Sequence, residues 1–397
     1  MLPRAMATLL RKRATQFPVV QVSGPRQAGK TTLCRACFAG HAYVSLESPD
    51  VLRQAREDPR GFLRAISRGA ILDEVQNAPA LLSYLQAEVD QDPRPGRFIL
   101  TGSQHLALTA AVTQSLAGRV AVLELLPFSY QELRSSRPDD DVWTVVWRGG
   151  YPALLDRPVE PYEWLSSYVA TYVERDARQI LNVTDLTAFQ TFVQLAASRT
   201  AQMLDHSRLG ADVGITHNTA KKWFSVLEAS YLCFRLPPFF RNIGKRLAKT
   251  PKGHFFDSGL VCYLLGIRSP EQLRLHPLRG PIFESWVISE IVKAYANQGE
   301  RPTFTYFRDK HGLEVDAVIE LGLSTCSVEI KSSETVPEEA FVALDQLSKL
   351  FASRSEPVGA HLTALVHAGA ARWDRRETAV LPWSAAGEFA WPGLKTD

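Results

Sequence analysis

The chain has 397 residues, 45% of them hydrophobic and 22% charged, a balance typical of a globular protein of two or three domains. The formal net charge of +3 is too small to indicate nucleic acid binding by itself, and five cysteines are too few and too scattered for a disulfide framework. No apolar run approaches the ~18 residues of a membrane helix, and the N-terminus lacks the order of a signal peptide. We therefore expect a soluble, cytoplasmic protein without a membrane partner.

The N-terminal part alternates between predicted strands and predicted helices. Residues 18–23 (PVVQVS) form a short apolar run that ends in a glycine-rich turn, and TTLCRACFAG follows with helical spacing. A second apolar strand, residues 69–74 (GAILDE), precedes the helix-like ALLSYLQAEV, and residues 97–103 (RFILTGS) form a third. This alternation predicts an α/β fold with a parallel sheet covered on both faces.

The rest of the chain first turns helical and then returns to alternation. The spacing is helical from residue 162 to about residue 199, and residues 204–227 read as helix, turn, helix. After residue 282, four strand candidates follow: FTYFRD, LEVDAVIE, TCSVEIKS and HLTALVH. We predict a second α/β unit there.

The first glycine-rich turn spells GPRQAGKTT and matches the P-loop pattern in its required context, between a strand and a helix. Gly24 and Gly29 would let the backbone wrap a β-phosphate, Lys30 would reach the β and γ phosphates, and the Thr31 hydroxyl would ligate Mg²⁺. The predicted ATP-binding residues are Gly24, Pro25, Arg26, Gln27, Ala28, Gly29, Lys30, Thr31 and Thr32. ATP and Mg²⁺ are therefore the expected cofactors.

Polar residues end the next two predicted strands. Asp73 would hold the Mg²⁺ through water, and Glu74 would polarise the attacking water, which makes electrostatic positioning the main catalytic effect. Thr101 and Ser103 end the third strand, where either side chain could contact the γ-phosphate or the water. The two acids alone could be a solvated strand edge, but the P-loop before them favours the catalytic interpretation.

Arg119 lies in the segment SLAGRV and suggests an arginine finger. Its fixed charge and forked donors suit contact with the γ-phosphate of a neighbouring subunit, which would require a homo-oligomer. The alternative is a solvated arginine in a loop, and the residues alone do not decide between the two.

Several longer motifs together resemble a known family. GPRQAGKTTL, ILDEVQ, LTGSQ, SLAGR and GGYP, followed by RLPPFFRNIGKRLAKTPKGHFFDSGL and FESWVISE, look like the bacterial and archaeal AAA+ ATPases that carry a C-terminal domain of unknown function. The resemblance covers most of the chain and implies a P-loop AAA+ domain that binds ATP.

In the predicted helix-turn-helix, Ala220, Trp223, Phe224 and Leu227 would face the core, and the surrounding sequence is basic. Residues 205–254 hold nine Lys or Arg against three Asp or Glu, an excess of six positive charges, whereas the whole chain has an excess of three. Such a patch is what phosphate binding needs, and the following strands would form a wing. The candidate DNA-binding residues are His217, Asn218, Lys221, Lys222, Lys245 and Arg246. A protein-docking module or a solvated basic face would give the same composition.

The C-terminal part carries acids in a pattern known from nucleases. Glu284 lies on a predicted helix, Asp316 on a predicted strand, and Glu329 and Lys331 on the next strand, with the spacing that puts both on one face. This layout resembles the restriction-endonuclease-like PD-(D/E)XK fold, in which the carboxylates would bind Mg²⁺ and Lys331 would orient the water. The alternative is a salt-bridge network that stabilises the sheet.

These observations predict four segments and two possible functions. The segments are a P-loop ATPase domain (1–151), a helical connector (152–200), a winged-helix-like unit (201–257) and a restriction-endonuclease-like domain (258–397). In the first function, ATP hydrolysis drives a DNA-associated activity that includes Mg²⁺-dependent cleavage. In the second, ATP gates binding to DNA or to a partner protein, and there is no nuclease activity.

Overall fold

A computed structural model describes most of the chain. It covers residues 2–103, 115–173, 185–239, 250–352 and 360–395, without the side chains of residues 156, 172 and 173. Two predicted DNA contacts, Lys245 and Arg246, lie outside the described residues. The chain divides into two compact units: the first runs to Phe128 and also includes Leu227–Tyr231 and Ala296–Gly299, and the second holds the remainder.

The first unit contains a five-stranded sheet in which every pairing is parallel. Its strands are β1 (Val19–Ser23), β2 (Ala42–Ser45), β3 (Ala70–Asp73), β4 (Phe98–Gly102) and β5 (Val120–Glu124). The spatial order is β2-β3-β4-β1-β5. Because β4 lies between β1 and β3, the carboxyl ends of these three strands meet at one edge of the sheet, as the predicted ATP site requires.

Three of these strands, β1, β3 and β4, confirm the sequence prediction, and the two edge strands were missed. β2 is a four-residue strand without a buried residue, so the apolar signal of a covered strand is absent from it. The helices of this unit are α1 (Met6–Ala14), α2 (Lys30–Cys37), α3 (Pro49–Glu57), α4 (Pro59–Ala65) and α5 (Leu81–Gln91), with a 3₁₀ turn at Val75–Asn77.

Successive residues of the central strands point to opposite faces of the sheet, and each face has its own core. Leu72 and Leu100 belong to one core, and Ile71 and Ile99 belong to the other. The first core is completed by buried side chains of α4 and α5, and the second by side chains of α1 and α2. These side chains are Phe62, Leu82 and Leu85 in the first core, and Met6, Leu10 and Leu33 in the second. Both faces are therefore covered, as predicted.

The second unit contains two sheets. A three-stranded antiparallel sheet has the order β6-β8-β7, and a six-stranded mixed sheet has the order β13-β14-β12-β11-β10-β9. The strands are β6 (Gln202–Met203), β7 (Cys233–Leu236), β8 (Lys252–Phe255), β9 (Thr303–Arg308), β10 (Glu314–Leu321), β11 (Ser324–Lys331), β12 (His361–His367), β13 (Trp373–Arg375) and β14 (Thr378–Pro382). The four predicted C-terminal strands are confirmed as β9 to β12.

The helices of the second unit confirm the predicted helical stretch and the helix-turn-helix. They are α6 (Tyr130–Leu133), α7 (Val142–Arg148), α8 (Ala153–Asp156), α9 (Pro161–Tyr168), α10 (Leu186–Ser198), α11 (His206–Val213), α12 (His217–Ala229), α13 (Ser258–Leu264), α14 (Pro270–Leu275), α15 (Arg279–Gln298) and α16 (Val342–Ala352). A π-helical turn, Val169–Val173, follows α9, and residues 174–184 of the predicted stretch lie outside the described part. None of the helices in the described ranges has both the length and the apolar character that crossing a membrane requires.

The GGYP motif and the FFDSGL motif meet at one buried carboxylate. Asp257 caps α13, where it accepts from the Leu260 backbone N–H at 2.9 Å, and it also accepts from the Gly150 N–H at 2.8 Å. Gly149 has φ +74°, and a Cβ there would lie 2.4 Å from the Asp257 carboxylate. Glycine is therefore required at residue 149, because a side chain would displace the carboxylate that joins the two motifs.

Candidate functional site

The loop between β1 and α2 is fixed by close backbone contacts. Gly24 has φ +151°, and a Cβ there would lie 2.0 Å from the carbonyl oxygen of Leu125, so no side chain fits. The Arg4 guanidinium donates to the carbonyl oxygens of Ala28 (2.8 Å) and Leu126 (2.7 Å). Sequence reasoning missed Arg4, because it lies outside every motif and reaches the loop only through the fold.

Lys30 is the first residue of α2, and its ammonium lies within the loop. Its Nζ donates to the carbonyl oxygens of Gly24 (3.0 Å) and Pro25 (2.8 Å), and the residue is only 5% exposed. Burial lowers the pKa of Lys30. A buried ammonium whose hydrogen bonds go to neutral carbonyl oxygens gains from an anionic partner, and a phosphate group supplies one.

Three hydroxyl groups converge on the buried carboxylate of Asp73. Thr31 Oγ1 donates to Asp73 Oδ1 at 2.9 Å, Tyr43 donates to Oδ2 at 2.8 Å, and Thr101 also donates to Oδ1. The three donors come from α2, β2 and β4, which meet at the edge of the sheet. Sequence reasoning placed Thr31 and Asp73 at the metal site but missed Tyr43, which lies on the unpredicted strand β2.

Glu74 follows β3 and is held by residues of two segments. Ser103 Oγ donates to Glu74 Oε2 at 3.1 Å, and the Gln76 side-chain amide donates to the same oxygen. The Glu74 backbone N–H donates to Thr101 Oγ1 at 3.3 Å. The predicted catalytic residues Glu74, Thr101 and Ser103 therefore form one hydrogen-bonded group, and Gln76 is a member that sequence reasoning missed.

The donors beside Asp73 suit a Mg²⁺ ion. The Thr31 hydroxyl and the Asp73 carboxylate are 2.9 Å apart, and both offer oxygen, the ligand type that Mg²⁺ prefers. Mg²⁺ is usually held by one or two protein groups together with phosphate oxygens and water. Thr31 and Asp73 therefore fit the ion that the P-loop implies.

Arg119 lies on the surface of the first unit and is paired with Asp90. Its Nη2 donates to Asp90 Oδ2 at 2.9 Å, and the two side chains are 34% and 47% exposed. The pairing raises the pKa of Arg119 and lowers that of Asp90. An exposed ion pair contributes little to stability, so the pairing with Asp90 holds Arg119 only weakly.

The predicted DNA-reading helix presents a polar face. Within α12, Ala220, Trp223, Phe224 and Leu227 are buried, as predicted. Thr216 caps the helix by accepting from the Thr219 N–H at 3.2 Å. The exposed residues of the first turns are His217, Asn218, Lys221 and Lys222. The amphipathic pattern therefore predicted the orientation of this helix correctly.

The acids of the predicted nuclease site surround a lysine that was not predicted. Lys252 Nζ on β8 lies 3.0 Å from Glu284 Oε1, 2.6 Å from Glu314 Oε1 and 3.9 Å from Asp316 Oδ1. Asp316 Oδ2 also accepts from the Ile330 backbone N–H at 2.8 Å. Sequence reasoning assigned neither Lys252 nor Glu314 to this site. Lys252 was missed because β8 lies in another part of the chain.

Glu329 and Lys331 pair with each other on β11, and the strand spacing predicted that both lie on one face. Lys331 Nζ donates to Glu329 Oε1 at 2.6 Å. Burial, together with the neighbouring Asp316 carboxylate, raises the pKa of Glu329 to about 8, although Lys331 opposes the shift. Burial also raises the pKa of Asp316 and of Glu284, and Asp316 adds to the shift at Glu284. The carboxylates are thus close enough to repel one another.

Three family matches divide the chain. Residues 16–134 match the AAA domain, residues 139–271 match a domain of unknown function (DUF8612), and residues 279–385 match a second domain of unknown function (DUF4143). The first match contains every predicted residue of the ATP site. The other two matches carry no description of an activity.

Two curated relatives are similar over most of the chain. The uncharacterized proteins Rv2008c of Mycobacterium tuberculosis and Mb2031c of Mycobacterium bovis are each 32% identical to it over 338 residues, which cover 84% of this chain and 74% of the relative. The chain belongs to the same family as these two proteins. With its AAA domain, this family member is an AAA-type ATPase.

A solved structure has a looser likeness to this AAA-type ATPase. The Walker-type ATPase PABY2304 of Pyrococcus abyssi is 16% identical, with a TM-score of 0.46, and the similarity covers 65% of this chain and 94% of that one. Membership of the AAA family rests on the sequence matches, which are independent of this likeness.

Tyr43→Phe tests whether the third hydroxyl positions the Asp73 carboxylate in this ATPase. The change removes one hydrogen bond to Asp73 and keeps the ring, which lines a cavity of about 500 Å³ beside Thr31. A hydrogen bond to a charged group contributes about 1.5–3 kcal/mol, so we expect the Mg²⁺ concentration for half-maximal hydrolysis to rise about tenfold or more. Steady-state ATPase rates measured against Mg²⁺ concentration check it.

Tyr84→Phe is the matched control, since Tyr84 lies on α5 and is 38% exposed. It should leave the Mg²⁺ requirement unchanged. Equal Mg²⁺ requirements in Tyr43→Phe and the control would show that the Tyr43 hydroxyl does not position Asp73.

Proposed function

We propose that the chain binds ATP in the loop of residues 24–32 and hydrolyses it with Glu74 as the residue that activates water. The observation that carries the proposal is the convergence of Lys30, Asp73 and Glu74 at the carboxyl edge of one parallel sheet. The AAA family match over the same residues supports it. Parallel sheets bind their ligands at this edge.

The residues of the site have separate tasks in this proposal. When ATP binds, the Lys30 ammonium exchanges the two loop carbonyl oxygens for phosphate oxygens. The first backbone amides of α2 point toward the same phosphate oxygens. Thr31 and Asp73 hold Mg²⁺, which supplies positive charge to the phosphates when it is bound. Ser103 and Gln76 fix the Glu74 carboxylate, so that it is oriented toward a water before the reaction.

Two variants separate binding from hydrolysis. Lys30→Ala removes the charge that contacts the phosphates, and ATP affinity should fall about tenfold or more, roughly 1.4 kcal/mol or more. Glu74→Gln keeps the shape of the side chain but removes its basicity, so ATP should still bind while kcat falls about 100-fold or more. Calorimetric ATP binding and steady-state phosphate release measure the two effects.

Lys12→Ala removes an exposed lysine of α1 and is the control for loss of charge. Its affinity and rate should equal those of the wild type. Hydrolysis at the wild-type rate in both Lys30→Ala and Glu74→Gln would refute the assignment of this site.

We also propose that Arg119 acts on the ATP of a neighbouring subunit. Its exposed position and its weak pairing with Asp90 support this role, because little free energy is needed to release it. A guanidinium that reaches the γ-phosphate from outside supplies positive charge that the site itself lacks.

Mixing two inactive variants tests Arg119. Arg119→Ala keeps an intact Glu74, and Glu74→Gln keeps an intact Arg119, so a mixed oligomer contains complete sites at some interfaces. ATPase activity should therefore reappear on mixing. Activity that stays absent after mass spectrometry has demonstrated mixed oligomers would exclude a role between subunits.

The second proposed function is DNA binding by the exposed face of α12. The helix-turn-helix of α11 and α12 is followed by the β7–β8 pair, in the place of the predicted wing. Within the described ranges, Lys221 and Lys222 form no salt bridge with a carboxylate and are exposed to solvent. Unpaired lysines on one helix face are suited to contact phosphates without reading base sequence.

Reversing both charges, Lys221→Glu with Lys222→Glu, should weaken DNA binding on every sequence. Each lost phosphate contact should also reduce the slope of log K against log salt by about 0.9. Fluorescence anisotropy with a labelled duplex over a salt series measures both effects.

The matched control reverses two exposed lysines elsewhere in the same unit, Lys310→Glu with Lys349→Glu, for the same change in net charge. It should keep the wild-type slope. If the two double variants behave alike, the effect comes from net charge, and α12 has no specific role.

Of the two predicted functions, we favour ATP-gated binding without nuclease activity. Glu284, Asp316, Glu329 and Lys331 do lie near one another, as the nuclease layout predicts. However, Lys252 lies among the acids and forms ion pairs with Glu284 and Asp316. ATP hydrolysis at the first unit then serves to control binding by the second.

A further inference from the structure

The second unit contains a group of four acids, Glu284, Glu314, Asp316 and Glu329, which we call the carboxylate cluster. They lie on α15, β10 and β11, and they face the ammonium of Lys252 on β8. Lys252 Nζ lies within 4 Å of three of them, with a shortest distance of 2.6 Å to Glu314 Oε1. The cluster therefore contains its own cation.

A divalent metal does not fit beside this ammonium. Mg²⁺ needs near-octahedral oxygen ligands at about 2.0–2.1 Å. Glu284 and Asp316, the acids that would share it, both lie close to Lys252 Nζ, so an ion bound by both would lie against a positive charge. Among the residues that the structure describes, no three His, Cys, Asp or Glu side chains are arranged to hold a metal ion.

Lys252 is fixed in its position by the strand that carries it. β8 is the middle strand of its sheet and pairs with both β6 and β7. The side chain is 5% exposed, and its ammonium also lies 5.5 Å from the centre of the Tyr306 ring. The surrounding protein therefore covers the side chain and separates its ammonium from bulk solvent.

The ammonium also remains charged. Burial alone lowers the pKa of Lys252, but the carboxylates of Glu284, Asp316 and Glu314 outweigh burial and raise it above the ordinary value of lysine. Glu329 is satisfied on one side by Lys331, whereas its Oε2 has no hydrogen-bond partner among the described atoms. The positive charge of Lys252 is therefore present at any physiological pH.

We propose that Lys252 is the permanent cation of the carboxylate cluster and takes the place of a catalytic metal. Glu284 and Asp316 then bind no Mg²⁺ or Mn²⁺, and the chain cleaves no phosphodiester bond with them. Instead, the cluster joins the three-stranded sheet to the six-stranded sheet through charge-assisted hydrogen bonds. This inference rests on the binding function proposed for the second unit and is independent of ATP hydrolysis.

Calorimetric Mn²⁺ titration of the full chain tests the proposal. All proteins carry Asp73→Asn, which removes the charged one of the two groups proposed to hold metal at the ATP site. We expect no Mn²⁺ uptake at millimolar concentration in this background, and the same result after addition of Asp316→Asn. Lys252→Met removes the internal cation and should create a Mn²⁺ site, with affinity about tenfold or more above that of Lys252→Arg, which keeps the charge.

Two results would overturn the proposal. One is Mn²⁺ uptake in the Asp73→Asn background that disappears with Asp316→Asn, since the cluster would then bind metal despite Lys252. The other is a folded Lys252→Met protein, verified by circular dichroism, that takes up no Mn²⁺. If Lys252→Met does not fold, the comparison of Asp73→Asn with and without Asp316→Asn decides alone. Neither titration requires ATP turnover or DNA. A failure of the proposed ATPase or DNA-binding function would therefore be distinguishable from a failure of this proposal.

Discussion

The first unit depends on the need of one buried carboxylate for partners. Asp73 is 7% exposed, and an ionised carboxylate at that depth is costly unless hydrogen bonds or a cation satisfy it. Three hydroxyls from three segments meet this need, and the parallel order of the strands brings those segments together. One of these hydroxyls, that of Thr31, would also hold Mg²⁺ together with Asp73. Both the stability of the metal-free site and metal binding therefore depend on Thr31 and Asp73.

The second unit also contains buried carboxylates that need partners, and it supplies a different kind of partner. Its carboxylate cluster brings four acids together, and the Lys252 ammonium lies within 4 Å of three of them. A buried ion pair of this kind contributes little net stability, but removing one partner leaves uncompensated charge that costs roughly 3–5 kcal/mol. Substitution of either partner should therefore destabilise the second unit. With the role that we propose for Lys252, a domain can keep the acids of a nuclease layout and use them to join two sheets.

The order of the strands explains why the predicted catalytic residues meet. Thr101 and Ser103 are far from Glu74 in sequence, but β4 lies next to β3, and both strands end at the same edge. Ser103 therefore reaches the Glu74 carboxylate, and Thr101 reaches the Glu74 backbone. Thr101, on the strand between the P-loop strand and the acidic strand, donates to Asp73 Oδ1 as well, so one hydroxyl contacts both acids.

The sequence by itself determined the P-loop, the acidic strand end, the central strands and the buried face of α12, because each depends on local spacing or on a short motif. Only the tertiary structure decided the partners of those residues. Arg4, Tyr43 and Lys252 belong to no local pattern, and Tyr43 and Lys252 reach their carboxylates across 30 and 32 residues of chain. A single side chain that pairs across such a distance leaves no periodic signal. The chain has many lysines, and only the tertiary fold determines which of them lies next to a cluster of acids.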